Sequence, residues 1–262
     1  MYYLDRMRKL TVMILLLLPM IFRFPDQVRA NTVYPLRDML ITTEKIALIE
    51  RKDVPWLIGF TGCAALLFIY DRQIMAGVQE IRSSALDPVM NVAQYGGDGW
   101  SALAGAGAVF FSGLFFENKR ILSLGTYLLE GYALCGAYGQ AVKFIAGRER
   151  PYAADNPYMF KPFTVSTRYA SFYSGHSTTA FTMASIVSHY FKKPWVSVLA
   201  YTLAGLTGVQ RMYGRKHWPS DVFVGAFAGI LIGRSIVREN LDFIGLGADR
   251  ENFVISFRIK KL

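Results

Sequence analysis

Histidine and cysteine are almost missing from this chain. Three histidines, His176, His189 and His217, and two cysteines, Cys63 and Cys135, are all that 262 residues contain. Both cysteines sit inside apolar runs, so nothing here makes a disulfide framework or a thiolate metal site. They read as small packing residues. Charge is scarce too: 18% of residues are charged and 53% are hydrophobic, whereas a soluble domain carries about 25% charged residues. The deficit is concentrated in long uncharged runs, which points to a membrane. There is no long Gly/Ser/Pro-rich linker, no internal repeat and no low-complexity tract. One domain with short terminal appendages is the simplest organisation at this length.

What charge exists is unbalanced, at a formal +10. A nucleic acid, an anionic lipid surface and an anionic substrate are the three partners such an excess suggests. No polar segment interleaves a basic stripe with aromatics, so no nucleic-acid partner is expected. Part of the excess belongs at the cytoplasmic ends of helices, and part is available to a substrate. No obligate protein partner is evident.

Residues 1–30 resemble a targeting segment. Arg6, Arg8 and Lys9 precede an apolar stretch from Leu10 to Phe22, and Val28-Arg29-Ala30 offers the small residues a signal peptidase reads. An uncleaved anchor is the alternative. Residues 31–54 read as an amphipathic lead-in. Six apolar segments follow, from about Pro55 to Tyr70, Gly99 to Phe116, Ile121 to Val142, Ser177 to Phe191, Pro194 to Val209 and Val222 to Val237. Gly225, Ala226, Ala228 and Gly229 illustrate the small residues that let helices approach closely in lipid. Between the first two segments, Ile74, Val78, Ile81 and Leu86 suggest an amphipathic helix at the interface. The polar tail, 241–262, holds one possible short strand near Phe253–Ile259. The expected fold is all-α: an integral-membrane six-helix bundle over 55–240, with its active site at one membrane face.

Three polar clusters border the apolar segments: Lys143 to Pro151, Tyr173 to His176, and Arg211 to Asp221. They lie at the end of segment three, the start of four, the end of five and the start of six. Helix parity puts all of them on one side. Each cation alone suits headgroup anchoring, but Lys143, Arg150 and Arg211 together can neutralise a phosphate, the arginines adding planar, bidentate hydrogen bonds. Gly175 and His176 open a helix, whose free amides favour an anion, and Gly175 leaves an oxygen room to approach. His217 and Asp221 are four residues apart, with Pro219 marking the start of a helix. A carboxylate hydrogen-bonded to one imidazole nitrogen would fix the tautomer and free the other nitrogen for attack. His176 then suits protonation of the leaving oxygen and activation of water.

These motifs resemble those of the type-2 phosphatidic acid phosphatase superfamily: K-x6-R-P, P-S-G-H and S-R-x5-H-x3-D. The first matches fully at Lys143, Arg150 and Pro151. Tyr173 stands where the second has proline, and Gln210 where the third has serine; every charged and titrating position is kept. The resemblance spans roughly residues 55–238. It implies that Lys143, Arg150 and Arg211 bind phosphate with help from Ser174 and the Gly175 amide. It further implies that His217 becomes a phosphohistidine, that Asp221 orients it, and that His176 is acid and then base. It implies no cofactor and no metal, and the chain offers no acidic cluster to hold one.

The expected function is hydrolysis of a lipid phosphate or lipid diphosphate. Undecaprenyl diphosphate, phosphatidylglycerol phosphate, phosphatidic acid and the phosphates of lipid A resemble the substrates of bacterial relatives. A lipid phosphotransferase, a vanadium-dependent haloperoxidase and a non-catalytic membrane protein are the alternatives. The expected location is the cell (inner) membrane, multi-pass, with the site facing the periplasm or cell exterior. Lys119, Arg120, Lys192, Lys193, Arg234 and Arg238 all lie opposite the site and belong in the cytoplasm by the positive-inside rule. A cleaved signal peptide followed by six crossings would invert that arrangement, and the loop charges outweigh the one short N-terminal stretch.

Overall fold

A computed structural model describes residues 54–238 and, separately, the backbone of two strands, 245–249 and 252–256. The signal-like or anchor segment and nearly all of the amphipathic lead-in lie outside the described residues. Seven α-helices run through 54–238: α1 (Val54–Glu80), α2 (Asp87–Ala93), α3 (Gly99–Phe115), α4 (Lys119–Ala146), α5 (Gly175–Phe191), α6 (Pro194–Tyr213) and α7 (Pro219–Arg238). Six of them overlap the apolar segments read from the sequence, and α2 is a short helix outside those segments. In the second compact unit, Gly245–Asp249 pairs antiparallel with Asn252–Ser256. The strand expected near Phe253–Ile259 is described over 252–256, its remainder lying outside the described residues, and the all-α description applies to 54–238.

Helix boundaries follow local chemistry. Asp98 caps α3 by accepting from the amides of Trp100 and Ser101, and Asn118 caps α4 through Arg120 and Ile121. Ser174 accepts from the amide of Ser177 at the start of α5, and prolines stand in the first turns of α2 and α6. Helices α4 and α6 run four residues past the apolar segments, to Ala146 and Tyr213, but the largest departure is at α1. The sequence suggests that the first helix stops at Tyr70 and that Ile74 and Val78 belong to an interfacial helix. Instead α1 runs unbroken to Glu80, because the charge that seemed to end it, Asp71, is buried against Arg148.

Helices α5 and α7 pack in backbone contact. Gly225, Gly229 and Gly233 form a stripe at four-residue spacing. A methyl at these positions would fall 2.6 Å from the Ser174 carbonyl oxygen, 2.4 Å from that of Thr178 and 2.6 Å from that of Thr182. Only residues without a side chain permit such backbone contact. Ile186 and Ile236 fill the core beside this seam, with Leu128 and Cys135 of α4.

The long helices alternate in direction. The turn before α3 lies against the carbonyl of His176, the end of α4 brings Lys143 to Gly175 at the start of α5, and the Ser174 amide bonds the backbone of Asp221 on α7. At the opposite end, Tyr190 of α5 donates to the Arg120 carbonyl of α4. Among the described residues two helices, Pro55–Glu80 and Pro219–Val237, are long and apolar enough to cross a membrane, and Gly99–Phe115 is a shorter apolar helix. Large apolar side chains including Trp56, Leu66, Phe115, Trp195, Val198 and Leu203 are exposed on the outer faces, a quantity of bare apolar surface that water-facing proteins avoid.

Candidate active site

His217 sits in the turn between α6 and α7 and is fully enclosed. The turn is closed by the Lys216 and His217 amides, both donating to the Arg211 carbonyl. Trp218, the residue before α7, anchors the turn by donating from its indole to the Glu149 carbonyl. The His217 Nδ1 lies 2.7 Å from the carbonyl oxygen of Ser171. A carbonyl only accepts, so Nδ1 carries the proton and Nε2 is left with its lone pair.

This differs from the expected imidazole–carboxylate pair. Asp221 Oδ2 stands 4.0 Å from Nδ1. That oxygen instead accepts from the Trp218 amide at 2.9 Å and from the Ser171 hydroxyl at 2.5 Å, while Oδ1 accepts from Arg148 at 2.6 Å. The reason is local. Asp221 is the third residue of α7, and its carboxylate reaches back to the amide at the helix start, as in a capping box. It therefore contacts the histidine's acceptor, Ser171, and not the histidine.

The three predicted cations converge. Burial holds the His217 imidazole well below its ordinary pKa range, with Arg150, Lys143 and Arg211 adding to the effect and the bond to Ser171 opposing it. Arg150 donates to the Ala170 carbonyl and Arg211 to the side-chain oxygen of Gln210. The Nε atoms of both arginines are buried without a hydrogen-bond partner. An unpaired buried donor costs about 1–3 kcal/mol, and an oxyanion between them would supply the missing acceptors.

His176, in the first turn of α5, belongs to the same cluster. Burial, then Arg211, push its imidazole down to about 4; Asp98 opposes this, and Lys143 and Arg150 reinforce it. A bound dianion would reverse that local field and favour the protonated ring. Ser174 is buried and accepts from the amide and hydroxyl of Ser177, so it acts here as a helix cap. The space left by the absent Gly175 side chain is taken by Lys143, whose Nζ would lie 2.9 Å from a methyl there. The glycine thus makes room for the cation, where the sequence suggested room for a ligand oxygen. His189 lies apart, bonded to the Ser185 carbonyl of its own helix. Of the two departures from the family motif, Gln210 steadies Arg211, and Tyr173 is buried beside Gly139.

Three residues were not singled out from the sequence: Asp71, Arg148 and Ser171. Arg148 stands between two better-known positions of its motif. Asp71 is one carboxylate at the end of an apolar run, and Ser171 contributes chiefly a backbone carbonyl. The only available signal was the unexplained third cation in Lys143–Arg150.

Three cations gather around two imidazoles at one end of the helical bundle. Residues 124–240, a segment that contains every predicted site residue, match the PAP2 superfamily. Among similar proteins is a lipid A 1-phosphatase of Porphyromonas gingivalis, 38% identical over 124 residues, covering 45% of this chain and 25% of the relative. An undecaprenyl-diphosphatase of Sulfolobus acidocaldarius is 31% identical over 113 residues, covering 42% and 52% respectively. The chain thus spans from a quarter to about half the length of these curated relatives. The fold is similar to the crystal structure of the first transmembrane PAP2 type phosphatidylglycerolphosphate phosphatase from Bacillus subtilis. The TM-score is 0.51 at 24% identity, over 78% of this chain and 100% of that one.

Proposed function

We propose that this chain is an integral-membrane phosphatase that hydrolyses a lipid phosphate or lipid diphosphate through a phosphohistidine on His217. The observation that carries the reading is the combination of a His217 ring with Nδ1 committed to a carbonyl and two buried arginine Nε donors lacking acceptors. The substrate class is suggested by the names of the relatives and by the apolar outer surface.

In the first step His217 Nε2 attacks phosphorus. Lys143, Arg150 and Arg211 hold the equatorial oxygens, so charge developing in the transition state meets preorganised donors. The bond from phosphorus to the leaving oxygen breaks, and His176 supplies the proton that oxygen needs. In the second step His176, now neutral, removes a proton from water, whose oxygen attacks phosphorus. Inorganic phosphate leaves and His217 regains its lone pair.

The test is release of inorganic phosphate by the detergent-purified protein from a panel of lipid phosphates and soluble phosphate esters. His217→Ala is expected to lose at least about 10³-fold in kcat. Asp221→Asn keeps a small residue of activity, because Asp221 acts on the nucleophile only through Ser171. Turnover by purified His217→Ala near the unmodified rate would sink the mechanism. Appearance of the phosphate on a second lipid, with none free, would favour the transferase.

A further inference from the structure

We propose that Asp71 and Arg148 are positioning residues for the nucleophile, forming with Asp221 a buried charge chain that holds the Ser171 carbonyl against His217. The proposal rests on the reading of His217 as nucleophile.

Arg148 is wholly buried and its guanidinium is fully committed. Its Nη2 donates to Asp71 Oδ2 at 2.6 Å, its Nη1 to Asp221 Oδ1 at 2.6 Å and to Ser220 Oγ at 2.8 Å, and its Nε to the Pro157 carbonyl at 2.9 Å. The guanidinium also lies over the Phe68 ring, 4.7 Å from its centroid. A planar fork held on all its edges has one orientation. Asp71, equally buried, accepts from the Ser220 amide at 2.8 Å and its hydroxyl at 2.6 Å. The first helix is thereby tied to the start of α7.

From Arg148 the chain reaches Ser171 by two routes. The Arg148 carbonyl accepts from the Ser171 amide at 3.0 Å, and Asp221, gripped by the guanidinium, accepts from the Ser171 hydroxyl. The Ser171 carbonyl then accepts the hydrogen bond from His217 Nδ1–H. A brace for stability alone would not require two desolvated carboxylates and a desolvated guanidinium. Buried ion pairs of that kind are often no better than apolar packing of equal volume. What the chain accomplishes is orientation: it ends on the atom that selects the imidazole tautomer and aims Nε2. The side-chain hydrogen bonds of Asp71 and Arg148 run to each other and to Ser220, Asp221 and the Pro157 carbonyl, so binding of the anion is left to a separate set of groups.

The experiment uses the full chain in detergent, with a lipid phosphate that the unmodified protein hydrolyses. Asp71→Asn keeps shape and removes charge. It is expected to lower kcat by about 10- to 100-fold, with KM within about twofold and the thermal shift caused by orthovanadate retained. Ser220→Ala, which removes one hydroxyl from the chain, should lower kcat by about threefold. Adding Asp71→Asn to Asp221→Asn should cost little beyond Asp221→Asn alone, since both act through one carbonyl. Unmodified kcat in a folded Asp71→Asn would overturn the proposal. So would a loss of kcat accompanied by an equal loss of vanadate response, which marks general unfolding. If Asp71→Asn does not fold, Ser220→Ala decides, and full kcat there overturns the idea. Activity surviving His217→Ala would instead overturn the nucleophile itself. An inactive His217→Ala beside a fully active Asp71→Asn would defeat only the role of Asp71 and Arg148.

Discussion

At the scale of single residues, the site holds two imidazoles where protonation is unfavourable in the empty protein. His217 is buried and His176 half-buried beside cations, His176 at about 4 and His217 well below its ordinary range. The unfolded chain, with ordinary imidazoles near 6.5, therefore binds more protons than the folded one across this window. The sign follows: the contribution is fully present above about pH 6.5 and is lost as pH falls towards about 4. Each histidine contributes a slope of at most about 1.4 kcal/mol per pH unit. We expect the unfolding temperature in detergent to fall between pH 7.5 and 4.5, and His176→Asn to flatten that fall. A melting temperature that rises on acidification would contradict the burial of neutral rings. Orthovanadate, by supplying the anion, should shift the histidine titrations upward, visible as a shallower acid slope in its presence.

At the scale of elements, the site depends on how two helices touch. The α5–α7 seam brings the turn holding His176 to the turn holding Asp221, and its spacing is set by backbone contact at Gly229. A methyl there meets the Thr178 carbonyl oxygen at 2.4 Å, and backbone has nowhere to retreat within a packed pair. Gly229→Ala is expected to lower stability by about 1–3 kcal/mol and to reduce kcat together with it. Gly175→Ala offers the contrast. Its methyl meets the end of a flexible lysine at 2.9 Å, so the fold should survive while Lys143 is displaced from the anion. Unfolding temperature near the unmodified value, with a several-fold weaker vanadate response, is the expected result. Equal destabilisation by both substitutions would show that the seam is not special.

At the scale of the whole molecule, the six long helices alternate so that every site residue lies at one end. The basic loops Lys119–Arg120 and Lys192–Lys193 lie at the other. Under the positive-inside rule we propose that the site end faces away from the cytoplasm. Single cysteines at Asn118 and Asn156, both exposed, test this in a variant with Cys63 and Cys135 replaced by alanine. A membrane-impermeant thiol reagent applied to intact cells, or to spheroplasts if an outer barrier intervenes, should label position 156 and spare 118. The reverse pattern would put catalysis in the cytoplasm. It would also restore the case for a cleaved N-terminal segment followed by six crossings.

By itself the sequence determined the helical composition of 54–238, the ends of most helices and the identity of the converging cations and histidines. These follow from local signals: apolar run length, capping side chains, and charges placed at helix ends whose side is set by parity. It could not show that α1 continues through Asp71, because a carboxylate in an apolar helix reads as a terminus until its partner is found 77 residues away. Nor could it show which atom accepts the hydrogen bond from His217 Nδ1–H. The spacing of His217 and Asp221 suggested a direct pair, but a carboxylate at the third position of a helix is drawn to the helix-start amide. That leaves the imidazole to a backbone carbonyl, and every residue has one of those, so no side-chain pattern marks it. Only tertiary structure, folding 171 onto 217 and 148 onto both 71 and 221, decided how the nucleophile is held.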